Sequence, residues 1–126
     1  MWRRNSVAEH PLSEIKANLF KGLAHPARIR VLELLDEGGE VSVADLIAGT
    51  GLEASNLSQH LGVLRRYELV ESDRQGAQVR YRLASPLVAE LLRVSRELLA
   101  EMLQTTRQRL EATLQEPAGA DERPAR

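Results

Sequence analysis

Residues 51–70 read GLEASNLSQHLGVLRRYELV, and this stretch decides the fold. Gly51 supplies a turn, because a tight reversal needs a residue tolerant of positive φ. Leu57, Leu61 and Leu64 then recur at helical spacing and can pack on a core. Ser55, Ser58, Gln59, Gly62 and Arg66 cluster on the opposite side, within about 100° of arc at ~3.6 residues per turn. A helix is therefore expected over about residues 53–67, with one apolar face and one small polar face. Leu69 and Val70 begin a strand, and an Arg-bearing hairpin follows. That order is helix, turn, helix and wing.

Upstream, residues 1–11 are polar and are expected to form a disordered arm. Leu12, Ile15, Leu19, Phe20 and Leu23 mark an amphipathic helix over residues 12–23. His25-Pro26 ends it and opens a second helix, with Pro26 in the first turn. Ile29, Leu32 and Leu35 carry that helix to Gly38-Gly39. Residues 40–42 form a short extended piece, and Ser42 can cap a third helix over residues 43–49.

Downstream, residues 69–73 and 78–83 read as strands around Arg74-Gln75-Gly76-Ala77. Val79, Tyr81 and Leu83 alternate with Gln78, Arg80 and Arg82, so one strand face is core and the other basic. Ser85-Pro86 opens a long helix over residues 86–116, which Pro117 ends. Residues 117–126 are a Pro/Ala/charged tail, expected to be disordered. The fold class is mainly α with a small β-hairpin. It forms one winged helix-turn-helix domain over residues 12–116, dimerising through its N- and C-terminal helices.

Composition sets bounds on function. The 126 residues suffice for one small domain with extensions. Aromatics are only 3%, so the core must be aliphatic. The net charge is −1, unusual for a nucleic-acid binder, but its distribution is uneven. Residues 54–82 hold five arginines against three acids, 5 − 3 = +2. Residues 24–53 hold two arginines against six acids, 2 − 6 = −4. The positive charge sits where the motif would meet phosphates. There is no cysteine, which excludes disulfides and thiolate metal sites and fits a cytoplasmic protein. No stretch approaches the ~18 apolar residues of a membrane span, and no signal peptide is evident.

An α-helix fits the major groove of B-DNA, where each base pair shows a distinct hydrogen-bond pattern. Ser55, Asn56, Ser58 and Gln59 are the candidates for base and phosphate contact, with Arg66 at the end of the same helix. Gln59 can pair bidentately with adenine. An ordinary solvated helix face is the rival reading. The position between a glycine turn and an Arg-bearing hairpin decides against it. His60 lies about 60° from the centre of the leucine face, so a DNA contact and a hydrogen-bonded boundary histidine are equally open. Arg74, Arg80 and Arg82 of the wing could meet the backbone or an adjacent minor groove. They could also be merely solubilising. Arg65 and Arg66 also have local salt-bridge readings with Glu68 and Glu71.

The last helix, about 31 residues, would be roughly 46 Å long. A domain of this size cannot cover so long an apolar stripe alone. Pairing with a second copy would cover it, with Ile15 and Leu19 of the first helix and Leu91, Leu98 and Met102 of the last at the interface. A two-fold protein also matches a palindromic DNA site.

These residues resemble the ArsR/SmtB family of prokaryotic winged-helix repressors, over about residues 17–103. LFKGLAHPARIRVLELL (19–35) looks like its opening signature, LSQHLGVLRRYELV (57–70) its recognition helix and RQGAQVRYRL (74–83) its wing. The resemblance implies a homodimeric repressor that releases its operator when an inducer, often a metal ion, binds. VSVADL (41–46) stands where many members carry Cys-x-Cys-Asp-Leu, but Ser42 and Ala44 replace the cysteines. The last helix lacks the His and Asp of the other family metal site. His10, on the arm, could join Glu90, Glu97 or Glu101 across a dimer. No cofactor and no metal site is expected, with a nickel or zinc effector as the alternative. Glu53 replaces the usual Ser cap, Gly62 stands where Lys is common, and Glu68 takes the usual C-cap glycine position, where it should strain the turn.

The expected function is a sequence-specific DNA-binding repressor, with operator DNA and a second copy of itself as partners. The alternative is a winged module working with a separate sensor protein. An enzyme is not expected: there is no cysteine, no phosphate-cradling loop and no His/carboxylate cluster.

Overall fold

The computed structural model describes residues 11–116. The expected disorder of residues 1–10 and 117–126, and the role considered for His10, lie outside the described residues. The elements are α1 (Pro11–Leu23), α2 (Pro26–Gly38), β1 (Val41–Ser42), α3 (Val43–Thr50), α4 (Ala54–Arg66), β2 (Val70–Gln75), β3 (Gln78–Leu83) and α5 (Pro86–Leu114). Two compact units divide them, residues 1–90 and residues 91–126. The first holds everything from α1 to the first turn of α5, and the second is the rest of α5.

Local chemistry sets the helix starts. His25 caps α2, its Nδ1 accepting from the Ala27 N–H at 3.0 Å. Ser42 caps α3 as expected, its Oγ accepting from the Asp45 N–H at 3.1 Å. Gly51 ends α3 in the left-handed region at φ 71°, and its N–H bonds the Ile47 carbonyl. That residue turns the chain into α4. Glu53 stands at the α4 N-cap but makes no side-chain capping bond.

The core of the first unit is aliphatic, as the scarcity of aromatics requires. Val31, Leu32 and Leu35 of α2, Leu46 of α3, Leu57, Leu61 and Leu64 of α4, and Leu69, Val70 and Tyr81 of the sheet are all buried. Close approach of α1 to the end of α4 depends on Gly22. A Cβ there would lie 2.8 Å from the Tyr67 ring.

The structure differs from expectation at four places. The sheet has three antiparallel strands in the order β1-β3-β2, because Val41 and Ser42 pair with Tyr81 and Arg80. Two residues carry no periodicity, so their pairing had no signature in the sequence. The hairpin turn is two residues rather than four, since Gln75 pairs directly with Gln78. Gly76 takes φ 64° and Ala77 does not have positive φ, the sign pattern of a type II′ turn. Arg74 therefore belongs to β2, opposite Val79. Helix α1 starts one residue early, at Pro11, where proline suits a first turn. Helix α5 ends at Leu114, two residues before the expected end.

The exit from α4 is a Schellman motif. The Leu69 N–H reaches the Leu64 carbonyl at 2.9 Å and the Glu68 N–H reaches the Arg65 carbonyl at 2.9 Å. Leu64 and Leu69, the pair that packs across such a motif, are both buried. The motif needs a left-handed residue at Glu68, which has φ 59°. The strain expected from the sequence is thus present. A left-handed L-residue costs roughly 1–2 kcal/mol, partly offset for glycine by chain entropy. Glu68→Gly should raise stability by about 1 kcal/mol, or ~4–8 °C in melting temperature. A thermal melt of both proteins checks this.

Candidate nucleic-acid interface

Helix α4 separates its faces cleanly. Leu57, Leu61 and Leu64 are buried, while Ser55, Asn56, Ser58, Gln59, Gly62 and Arg66 are exposed. The exposed residues lie three and four apart, so they form one continuous strip. No large side chain interrupts it, and a Cβ at Gly62 would meet open space. The strip is narrow, polar and free of acidic groups, as an element entering the major groove must be.

His60 sits at the edge of this strip and is only part-exposed. Its ring packs against His25, with centroids 4.4 Å apart and planes tilted by 48°. Its Nδ1 lies 3.4 Å from a guanidinium nitrogen of Arg28. Burial, then the charges of His25 and Arg28, hold its pKa below the ordinary 6.5. The geometry is that of a boundary histidine, and its ring is engaged on the protein side.

Arg28 was not among the residues that the sequence singled out. Its Nε donates to the Gly22 carbonyl at 2.8 Å and a terminal nitrogen donates to the Lys21 carbonyl at 3.3 Å. Both carbonyls lie in the last turn of α1, that of Lys21 also accepting from the Ala24 N–H at 3.2 Å, and a cation there complements the helix dipole. One signal was available: Arg28, Leu32 and Leu35 share a stripe at helical spacing, so Arg28 is a cation on a core-facing side.

The wing arginines are not equivalent. Arg82 pairs with Glu71 at 3.0 Å. Arg80 lies 3.9 Å from the Glu40 carboxylate, donates to the Glu40 carbonyl at 3.2 Å and to Gln78 at 3.3 Å. Glu40, which tethers the wing to the α2–β1 loop, was also missed from sequence. Arg74 is exposed and, among the described residues, makes no ion pair. Arg65 and Arg66 are likewise exposed and make none, which corrects the salt bridges considered for them. Glu71 is engaged by Arg82 across the hairpin instead, because the two face each other in register.

Among the described residues, no group of three or more His, Asp or Glu side chains is arranged to hold a metal ion. No described helix is long and apolar enough to cross a membrane.

A helix delivered by a turn, with a polar strip outward and a basic hairpin after it, defines a winged helix-turn-helix domain. Residues 23–73 match the helix-turn-helix domain family. Over 92 residues the chain is 54% identical to the uncharacterized HTH-type transcriptional regulator Rv0081 of Mycobacterium tuberculosis, covering 72% of this chain and 80% of that one. It is 43% identical over 76 residues to the biofilm growth-associated repressor of Xylella fastidiosa, covering 60% and 66%. The crystal structure of Rv0081 superposes with a TM-score of 0.73 at 52% identity, covering 77% of this chain and 97% of that one. The solution structure of the homodimeric winged helix-turn-helix DNA-binding domain Mb0332 from Mycobacterium bovis gives 0.69 at 30%, covering 82% and 93%. The chain belongs to the HTH-type transcriptional regulators of the ArsR/SmtB type.

Proposed function

We propose that the protein is a homodimeric repressor that binds a two-fold operator, with α4 in the major groove and the wing on the flanking backbone. The observation that carries this reading is the two-faced α4: buried leucines on one side, and Ser55, Asn56, Ser58 and Gln59 exposed in one acid-free strip on the other. Arg66 and Arg74 are the phosphate contacts that need no rearrangement. Arg80 and Arg82 join only by exchanging Glu40 and Glu71 for phosphate. His60 supports the strip from beneath.

Dimerisation is supported by the apolar residues left in water. Ile15 of α1 is 63% exposed, and Leu98 and Met102 of α5 are each 57% exposed. Leu19 and Leu91 are half-buried. Isolated exposed leucines are ordinary, but an apolar stripe along a helix, as on α1 and separately on α5, supports cover by a second copy. The protein acts as a regulator in the cytoplasm, without catalysis and without a resident cofactor.

Fluorescence anisotropy with the promoter of its own gene tests the reading. Specific binding should weaken steeply with salt, the slope of log K against log salt being about −0.9 per phosphate contact. Arg74→Ala should reduce that slope by about 1 and weaken all sequences alike. Arg80→Ala should act in the same direction but less, because Arg80 is already engaged by Glu40. Salt-insensitive or absent binding would transfer support to the sensor-partnered module.

A further inference from the structure

The cluster where α1, α2 and α4 meet has more built into it than a helix junction needs. Arg28 binds three things at once: the Gly22 carbonyl at 2.8 Å, the Lys21 carbonyl at 3.3 Å and His60 at 3.4 Å. The first two belong to the end of α1, and the third to the middle of α4. Arg28 is thereby the polar tie between α1 and the recognition helix, in parallel with the Gly22–Tyr67 contact.

The tie works only with a neutral imidazole. A guanidinium has donors and no acceptor, so His60 Nδ1 must carry a free lone pair to receive it. Protonated, His60 would present an N–H and a positive charge to Arg28 and, across 4.4 Å, to His25. Among the described residues no carboxylate pairs with His60: the groups against its ring are Arg28 of α2 and His25 at the α2 N-cap, both basic, while Glu33 and Glu37 of α2 are paired with Arg30. On the other elements packed against α4, Asp45 opens α3 and Glu71 of β2 is paired with Arg82. Burial, then the neighbouring His25 and Arg28, disfavour the charged form of His60.

We propose that Arg28 and His60 form a proton-sensitive latch that positions the recognition helix, so that acidification releases α4 and weakens operator binding. Both are positioning residues and act through α4. The inference rests on the DNA-binding reading above. The sign follows from the basic surroundings. A histidine whose protonation is disfavoured in the folded state leaves the latch intact above about pH 6.5, and the folded arrangement loses stability as pH falls through that value. A histidine that touched phosphate would do the reverse, since its added charge would strengthen binding.

The test is an anisotropy titration of the full chain with promoter DNA at constant ionic strength, from about pH 7.5 to about pH 5.5. Wild-type affinity should fall measurably, and by no more than about tenfold, because a ring that titrates below 6.5 keeps at least roughly a tenth of its neutral form at pH 5.5. His60→Gln, which keeps a neutral acceptor, should remove most of that dependence. Nuclear magnetic resonance of the DNA-free protein supplies an independent readout. The His60 ring should titrate below 6.5, and the Gly22 and Leu23 amides, which share peptide units with the Lys21 and Gly22 carbonyls, should shift with the same midpoint. Affinity that rises on acidification, or a His60 that titrates at or above 6.5 without moving Gly22, overturns the latch. Absence of DNA binding at pH 7.5 would instead remove the DNA reading, and the ring titration would then decide the latch by itself.

Discussion

Leu57→Ala should cost the domain about 2–5 kcal/mol, whereas Gln59→Ala, two residues away, should leave stability within ~0.5 kcal/mol. Leu57 is 0% exposed, and its side chain fills the core beneath α4. Truncating it removes apolar contacts and leaves a cavity that a close-packed core, to which Leu32, Leu46 and Leu64 also belong, cannot fully close. Small domains have only about 5–15 kcal/mol of stability in total, so the loss is a large fraction of it. Gln59 is exposed and makes no bond to the rest of the domain among the described contacts. Its truncation should instead appear in DNA selection, as roughly 1–3 kcal/mol of lost discrimination at one base pair. Urea unfolding and competition with operator variants measure the two effects separately. If Gln59→Ala leaves selectivity intact while Leu57→Ala behaves as stated, α4 is a structural helix and the reading surface lies elsewhere.

Much of this was legible in residues 51–70, because helical periodicity is a strong signal. The three leucines determine which face is buried, and Gly51 marks the turn. The cap at Ser42 and the strained Glu68 were legible too, since both follow from short-range backbone chemistry. What stayed hidden was long-range pairing. The strand Val41–Ser42 is too short to show a period, so its place beside β3 became visible only in three dimensions. For the same reason Glu40 could not be foreseen as the partner of Arg80, forty residues on. His60 was ambiguous on a helical wheel, which places it at the boundary but cannot say what lies opposite. The answer, Arg28, is thirty-two residues away. Arg65 and Arg66 show the converse error: nearness in sequence to Glu68 and Glu71 suggested pairs that do not form, and the hairpin register instead gives Glu71 to Arg82.

Leu98→Glu combined with Met102→Glu should convert the protein to a monomer and reduce operator affinity by about 10²- to 10⁴-fold. The two residues lie four apart on one face of α5, so charges at both fall within the same apolar stripe. Both are exposed in the single chain, so the substitutions bury no charge within the monomer and should not prevent it from folding. In a dimer they would set unpaired carboxylates inside an apolar contact, where desolvation costs far more than it does in water. The DNA effect follows from linkage. A dimer binds its second half-site intramolecularly, at high effective concentration, and that advantage commonly amounts to 10²–10⁴ in affinity. A monomer keeps α4, the wing and every base contact, yet must bind each half-site alone. Light scattering after size exclusion reads the oligomeric state, and anisotropy on whole and half operators reads the affinities. The monomer should bind a half operator about as well as the whole one. A double variant that remains dimeric would place the interface away from Leu98 and Met102. A monomer with undiminished operator affinity would show that two-fold pairing is not what gives the protein its grip on DNA.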